Sequence, residues 1–510
     1  MSESRRVTNS AIVENVFRIR KVFNHPTQKV SDKTMTVMRY QQLAQTLRRQ
    51  IDAQVWLPGE KLPSLRESCK QSGLSLMTVL QAYQLLESQG VIVSRPQSGY
   101  YVAPRQHVPV VHHAQSNLHA AEDIDVNDAI FNILKAGQDP DIVPFGSAFP
   151  DPTLFPQPRL ARSLASAVRR MSPHSAIANL PPGNEELRRN IAQRYAQQGI
   201  EVTPDEIVIT SGALESLGLS LQVVTQPGDW VAIESPAFYG VLQAIERRKL
   251  KAVAIPMDVQ QGMDLQALEQ ALATYPIKAC WLMSNFQNPL GCSMSAEKKQ
   301  RLVEILEAHH VAIIEDDVYG ELYFNGERPM PLKVSSYRQQ ILHCSSFSKC
   351  LAPGFRVGWV AAGAYASRIQ RLQLMSTLSA SVPVQLGLAD FLHQGAYDAH
   401  LRRLRRQLEL RQNAMRNKIL KAFPPQVRVS QPSGGYFLWV YLGDKVDATR
   451  VYQQALARGI SVAPGTMFAV DDRYRHSLRL NSSFEWNTRA EDAIKTLADI
   501  VFGEIERNKT

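Results

Sequence analysis

The sequence predicts two folded units, an N-terminal winged helix-turn-helix and a larger α/β domain built on a mostly parallel sheet. Three observations predict it. At 510 residues the chain exceeds what one hydrophobic core organises. Its first hundred residues hold three helix-type stretches and then two β-type runs around a turn. Beyond them, helix-like stretches alternate with short apolar runs, the pattern of a parallel sheet covered by helices. Apolar content of 44% with 20% charged suits a globular chain. No apolar run approaches the ~18 residues of a membrane span, so the protein is expected to work in the cytoplasm without membrane contact. Cys69, Cys280, Cys292, Cys344 and Cys350 form an odd, scattered set with no C-x-x-C pair. That argues against a disulfide framework and against a metal site.

Residues 1–37 show no sustained apolar period and read as a flexible basic arm. The first folded unit, 38–104, opens with RYQQLAQTLRRQI, where Leu43, Leu47 and Ile51 recur every four positions. After the turn LPGEKLP, Ser64 and Glu67 stand at capping-box spacing and start a short second helix that Gly73 ends. Ser75 caps a third, in which Val79, Ala82, Tyr83 and Leu86 make one apolar stripe up to Gly90. VIVSRPQSGYYV then reads as a hairpin. Residues 105–125 lack periodicity and read as a linker; His112 and His113 inside it are adjacent, the wrong spacing for two metal ligands on a helix face. The α/β domain is expected over 126–505, with a smaller α+β subdomain from about 395.

Net charge is +10, and it is concentrated at one end. Met1–Met38 carries seven Lys/Arg against three Asp/Glu, and Arg39–Arg105 eight against four. A basic winged helix implies double-stranded DNA. Arg66 and Ser64 at the second helix, Ser75, Met77, Thr78 and Gln81 at the start of the third, and Arg95 and Gly99 of the hairpin are the groups expected toward it. Arg48, Arg49 and Lys70 join Arg95 as candidate phosphate contacts. One such unit reads one half-site, so a homodimer on paired sites is expected.

In a parallel sheet, ligands sit beyond the carboxyl ends of the strands. After EIVIT come Ser211 and Gly212; after KACWLMS, Asn288; after VAIIE, Asp316, Asp317 and Tyr319; after ILHC, Ser346, Ser348 and Lys349. A carboxylate buried at a strand end needs a cationic partner, and a protonated ring nitrogen serves. Hydroxyls, a helix N-terminus at SGALES and Arg356 make a phosphate cradle. An enclosed lysine becomes an amine nucleophile for an aldehyde. Aldehyde, pyridinium and phosphate in one ligand describe pyridoxal 5′-phosphate (PLP).

The stretches QNPLG, IIEDDVYG, SSFSKCLAPGFRVGW and LRLNSS, at these spacings, resemble the fold-type I aminotransferases over residues ~126–505. YQQLAQTLRRQI, LPGEKLPSLRE and TVLQAYQLLESQGVI resemble the winged helix of GntR-type regulators, and the two in this order resemble the MocR subfamily. The resemblance implies that Lys349 carries the cofactor and Asp316 partners its ring nitrogen. It implies that Asn288 and Tyr319 hold the ring oxygen and that Phe238, in ESPAFYG, stacks on the ring. Ser346, Ser348 and Arg356, with the backbone of Ala213 and Leu214, would take the phosphate, and Arg479 the carboxylate of an amino ligand. Each has a structural reading as well: a helix cap for Asp316, core aromatics for Tyr319 and Phe238, an ion pair for Arg479; Asp317 reads as structural. The chain departs from the pattern at Ala178, where many relatives have a tyrosine, at Leu214, which replaces a common glutamine, and at Leu76 and Met77, where relatives often have an arginine. The implied function is a transcription regulator that senses PLP or an amino acid or amine; the alternative is an active aminotransferase that carries a winged helix.

Overall fold

Ser64 and Glu67 do form a reciprocal capping box, the Ser64 hydroxyl accepting from the Glu67 N–H and the Glu67 carboxylate from the Ser64 N–H. That box opens α2 (Leu65–Ser72), which ends at left-handed Gly73. In the computed structural model, residues 32–103, 119–121 and 127–507 are described, apart from 54, 58, 96, 97 and 325. The chain divides into two compact units between residues 106 and 107.

In the first unit α1 spans Asp32–Asp52, so it begins seven residues before the apolar period that marks it in the sequence. The rest of the expected arm lies outside the described residues. α3 (Leu76–Ser88) is capped by Ser75, and Val79, Ala82, Tyr83 and Leu86 on its inner face are fully buried against Ala44, Leu47 and Ile51 of α1. The Tyr83 hydroxyl bonds Ser68 (2.7 Å) and donates to the Pro63 carbonyl (2.8 Å), tying α3 to α2 and the turn before it. β1 (Ile92–Arg95) and β2 (Gly99–Val102) form the antiparallel wing.

The second unit is built on a nine-stranded sheet. Its strands are β3 (His119–Ala121), β4 (Ile207–Thr210), β5 (Trp230–Ser235), β6 (Lys251–Asp258), β7 (Ile277–Leu282), β8 (Ala312–Asp316), β9 (Ile341–Ser346) and β10 (Gly358–Ala361), in spatial order β3-β6-β5-β7-β8-β9-β10-β4, with the short strand Gly262–Met263 on β6. β6, β5, β7, β8 and β9 are mutually parallel; β10 runs antiparallel between β9 and β4, so β4 points the same way as the parallel block. β3 lies within the stretch read as a linker and pairs antiparallel with the edge of β6; His112 and His113 lie outside the described residues.

Successive strand residues enter two different cores. Val231, Ile233, Trp281, Ile314 and Leu342 pack with Leu217, Val241 and Ile369 on one face. Ala232, Cys280, Leu282, Ile313 and Ile341 pack with Leu268, Leu302 and Leu306 on the other. Burial on both faces explains why these strands read as continuous apolar runs instead of alternating ones. The C-terminal part carries its own antiparallel sheet, β11 (Arg428–Val429), β12 (Phe437–Tyr441), β13 (Ala463–Pro464) and β14 (Ser477–Asn481), in order β11-β12-β14-β13. The helices Ala396–Ala422, Ala448–Leu456 and Thr488–Arg507 close over it. No described helix is long and apolar enough to cross a membrane.

Candidate functional site

The carboxyl ends of β4, β5, β7, β8 and β9 share one edge of the sheet, and the groups selected from the sequence follow them. Asp316 is the last residue of β8 and is 2% exposed. Its Oδ1 is buried and has no hydrogen-bond partner in the protein. Burial, then the negative charge of neighbouring Asp317, pushes its carboxyl up to about 7. Lys349 follows β9 and donates from Nζ to the Ala148 carbonyl (2.8 Å), with Nζ 5.0 Å from the centre of the Phe149 ring. Burial, then the charges of Arg479 and Arg356, brings the amine down to about 7, against the pull of Asp316. A carboxyl and an amine that sense each other's charge thus both sit near neutrality, and the amine bonds a carbonyl instead of the acid.

Arg479 lies in β14 and is fully buried. Nη1 donates to Asn288 Oδ1 (2.9 Å) and Nη2 to the Gly146 carbonyl (2.6 Å), while Phe437 and Phe468 stack near the guanidinium at 4.4 and 5.1 Å. Its Nε has no partner, and burial lowers its proton affinity. Among the described residues no carboxylate pairs with it, so the ion-pair reading of Arg479 does not hold there and the guanidinium is positioned by neutral acceptors. Tyr319 is buried, packs edge-on to Tyr436 (5.5 Å) and Phe437 (5.6 Å), and shares a hydrogen bond with Tyr436; burial pushes its phenol well up. Phe238 precedes the helix Tyr239–Arg247 and folds over Gly240, where a Cβ would come within 2.4 Å of its ring.

The phosphate-type groups converge on the start of α4 (Ala213–Val224). Gly212 has φ +105° and no side chain to cap the helix; the Glu215 and Ser216 N–H groups bond its carbonyl, and those of Ala213 and Leu214 are left without a side-chain cap. A Cβ on Gly212 would lie 2.6 Å from Arg356 Nη2, and one on Gly358 would lie 2.8 Å from the Ala213 nitrogen. Gly358 is therefore required by close backbone approach, and Gly212 by its positive φ. Arg356 itself adopts φ +51° and donates from Nη1 to the Ser348 hydroxyl (3.2 Å), and the Ser348 N–H donates to the Ser346 hydroxyl (3.3 Å). Leu214 is exposed at this helix start. The set fits PLP on two counts: an orphaned buried carboxylate oxygen stands where a ring N–H is expected, and the guanidinium and helix start are held together by glycines.

Asp317 is structural, as expected: it accepts from His343 Nε2 (3.2 Å) and Asn285 Nδ2 (3.1 Å), and against burial the contact with His343, then the charge of Arg328, holds its carboxyl below its ordinary value. His343 Nδ1 pairs with the Tyr195 hydroxyl (2.6 Å), which accepts from Trp359 Nε1 (3.0 Å). Two groups escape the sequence reading. Buried Glu234 accepts from the Met283 N–H (3.0 Å) and from Gln287 Nε2 (3.1 Å), and Gln287 also donates to the Pro236 carbonyl (2.8 Å), clamping the loop of Asn288 to that of Phe238. Burial pushes Glu234 up to about 8. An acid inside the apolar run WVAIES was a readable signal. The second is the segment Gly146–Phe149, whose carbonyls accept from Arg479, Asn481 Nδ2, Lys349 and the Tyr436 hydroxyl. It straps the Lys349 side of the site to β14.

On the winged helix, Arg66, Met77, Gln81, Arg95 and Gly99 are exposed. Thr78 corrects the expectation: it is 4% exposed and its hydroxyl pairs with that of Ser75 (2.9 Å). It lies beside Val79 and Ala82 on the buried side of α3, while the cap Ser75 itself is exposed. The Ser64 and Ser75 hydroxyls are likewise engaged in capping. Arg95 lies over Tyr101 at 4.2 Å, and Arg48 donates to Gln89 Oε1 (3.1 Å).

Comparison with known proteins bears on both units. Residues 154–489 match the family of class I and II aminotransferases, and residues 39–102 match the gntR family of bacterial regulatory proteins. The chain is 54% identical over 467 residues to the HTH-type transcriptional regulator YdcR of Escherichia coli, covering 91% of this chain and 99% of that one. The kynurenine aminotransferase of Pyrococcus horikoshii, solved in complex with PMP, superposes with a TM-score of 0.69 at 27% identity, over 74% of this chain and 94% of that one. The α-aminoadipate aminotransferase LysN of Thermus thermophilus, complexed with N-(5′-phosphopyridoxyl)-L-leucine, gives 0.67 at 27% identity, over 74% and 96%. The chain belongs to the regulators in which a gntR-family DNA-binding domain precedes a class I and II aminotransferase domain of fold type I, the MocR architecture.

Proposed function

We propose that this protein binds duplex DNA through its winged helix and regulates transcription in response to PLP, or to an amino acid or amine bound with it, in the aminotransferase-like domain. The observation that carries the cofactor reading is the pair Asp316 and Lys349: a buried carboxyl with an unpartnered oxygen and an amine at about 7, in one electrostatic enclosure. When bound, PLP supplies a reactive carbonyl and a ring that draws electron density away from an attached amine. Asp316 would hold a proton on the ring nitrogen, which gives Oδ1 the partner that it lacks. Lys349, with about half of its amine uncharged near neutral pH, is ready to attack a carbonyl and to carry a proton. Asn288 and Tyr319 would orient the ring oxygen, with Phe238 against the ring. Ser346, Ser348, Arg356 and the first N–H groups of α4 would bind the phosphate, and Arg479 a ligand carboxylate. Ligand-bearing solved relatives support the same reading.

The proposed assembly is a homodimer. Leu214, Met375 and Leu378 are large apolar side chains left exposed near the Glu215–Thr377 hydrogen bond, a surface suited to a second copy. Regulation and catalysis need the same cofactor residues, so the active-aminotransferase alternative is separated by turnover and not by geometry. The cofactor reading is tested by titrating apo protein with PLP, reducing with borohydride and mapping the modified peptide. A visible absorption band and a single adduct at Lys349 are expected, and both should vanish in Lys349→Ala. An adduct on another lysine in that variant refutes the assignment.

A further inference from the structure

We infer that α3 reads A·T base pairs, with Leu76 and Met77 packed on thymine 5-methyl groups and Gln81 and Gln84 facing adenine. This rests on the DNA-binding reading above and names the sequence class that it recognises. The inward face of α3 is spent on the core: Thr78, Val79, Ala82, Tyr83 and Leu86 are all buried. Its outward face is Leu76 (55% exposed), Met77 (63% exposed), Gln81 and Gln84. Two large apolar side chains on the first turn of a capped helix, held out of the core, call for an apolar surface opposite them.

The surroundings specify which surface that is. Arg49, Arg66, Lys70 and Arg95 are exposed on α1, α2 and the wing of the same small unit, and exposed cations on the unit that presents an apolar helix face suit the groove of a polyanion. No Lys or Arg stands anywhere in α3, LMTVLQAYQLLES. The commonest guanine contact, a bidentate cation on O6 and N7, is therefore missing from this helix. Glutamine pairs bidentately with adenine N6 and N7, and the only apolar group on the major-groove edges is the thymine methyl. Both halves of the outward face thus point to the same base pair.

The test is selection from randomised duplexes with the full-length protein, followed by replacement of thymine by uracil, which deletes the methyl and leaves every hydrogen-bonding group in place. A·T pairs should dominate the selected half-site. Each uracil under Leu76 or Met77 should weaken binding about 3- to 5-fold, the effect of one methyl-sized group lost from a contact. Met77→Arg should lose that uracil sensitivity and shift the selected position toward guanine, and the exposure of Met77 keeps the fold intact. A G·C-rich half-site, or uracil duplexes bound as tightly as thymine ones, overturns the inference while leaving DNA binding standing. Met77→Arg that changes self-association but not uracil sensitivity assigns the apolar turn to a second copy and overturns it as well. No sequence enriched at all overturns the DNA-binding reading and this inference with it.

Discussion

Replacing Asp316 with asparagine removes a charge that the folded protein holds at a cost. Its carboxyl rises from an ordinary 3.8 to about 7, burial contributing most and Asp317 next. At about 1.4 kcal/mol for each tenfold change in proton affinity, ionised Asp316 costs the cofactor-free fold about 4 kcal/mol above pH 7. A carboxyl whose folded value lies above its unfolded value is harmless below pH 4, because it is protonated in both states. Its cost grows as pH rises from there to about 7 and is constant beyond. Cofactor-free wild type should therefore lose stability relative to Asp316→Asn between pH 4 and 7, and the variant should be the more stable one at pH 8. PLP should reverse the order, because a protonated ring nitrogen gives Oδ1 its partner and the amide cannot replace the charge. The assay is denaturant unfolding followed by tryptophan fluorescence, with five of the six tryptophans in the large unit. Parallel pH curves for wild type and Asp316→Asn without PLP would refute the argument.

Arg479→Ala strips the donors from Asn288 Oδ1 and the Gly146 carbonyl, at roughly 1–3 kcal/mol for each buried acceptor left unpaired. Isothermal titration of the PLP-loaded variant should show binding of carboxylate-bearing amino ligands lost and that of simple amines retained. Gly212→Ala places a methyl 2.6 Å from Arg356 Nη2 and should weaken PLP about tenfold or more, while pyridoxal, without phosphate, binds as before; an equal loss for pyridoxal locates the damage elsewhere.

Both folds were legible where side chains carry the signal. The stripe of Val79, Ala82, Tyr83 and Leu86 and the Ser64–Glu67 box follow from helix period and capping chemistry, and the structure has both. Strand ends could be found because β7, β8 and β9 are buried on both faces and read as unbroken apolar runs. Thr78 was misjudged because position along a recognition helix does not by itself give direction; it falls on the side of Val79 and Ala82, with the core. The start of α1 was missed because DKTMTVM has no apolar period to mark it. The Gly146–Phe149 strap acts through backbone carbonyls, which every residue has, so no sequence pattern announces it. Glu234 differs, since a lone acid in an apolar strand is visible once buried carboxylates are looked for.

The central claim is that the two units are energetically coupled. Operator affinity should be measured with apo protein, with PLP, and with PLP plus a panel of amino acids and amines, alongside product formation. Coupling of about 1–3 kcal/mol predicts that one of these ligands changes operator affinity roughly 5- to 150-fold, and that operator DNA changes the affinity of that ligand by the same factor. Operator affinity that stays flat across every condition while keto acid accumulates over many turnovers would contradict the account and make the protein an aminotransferase with an attached winged helix.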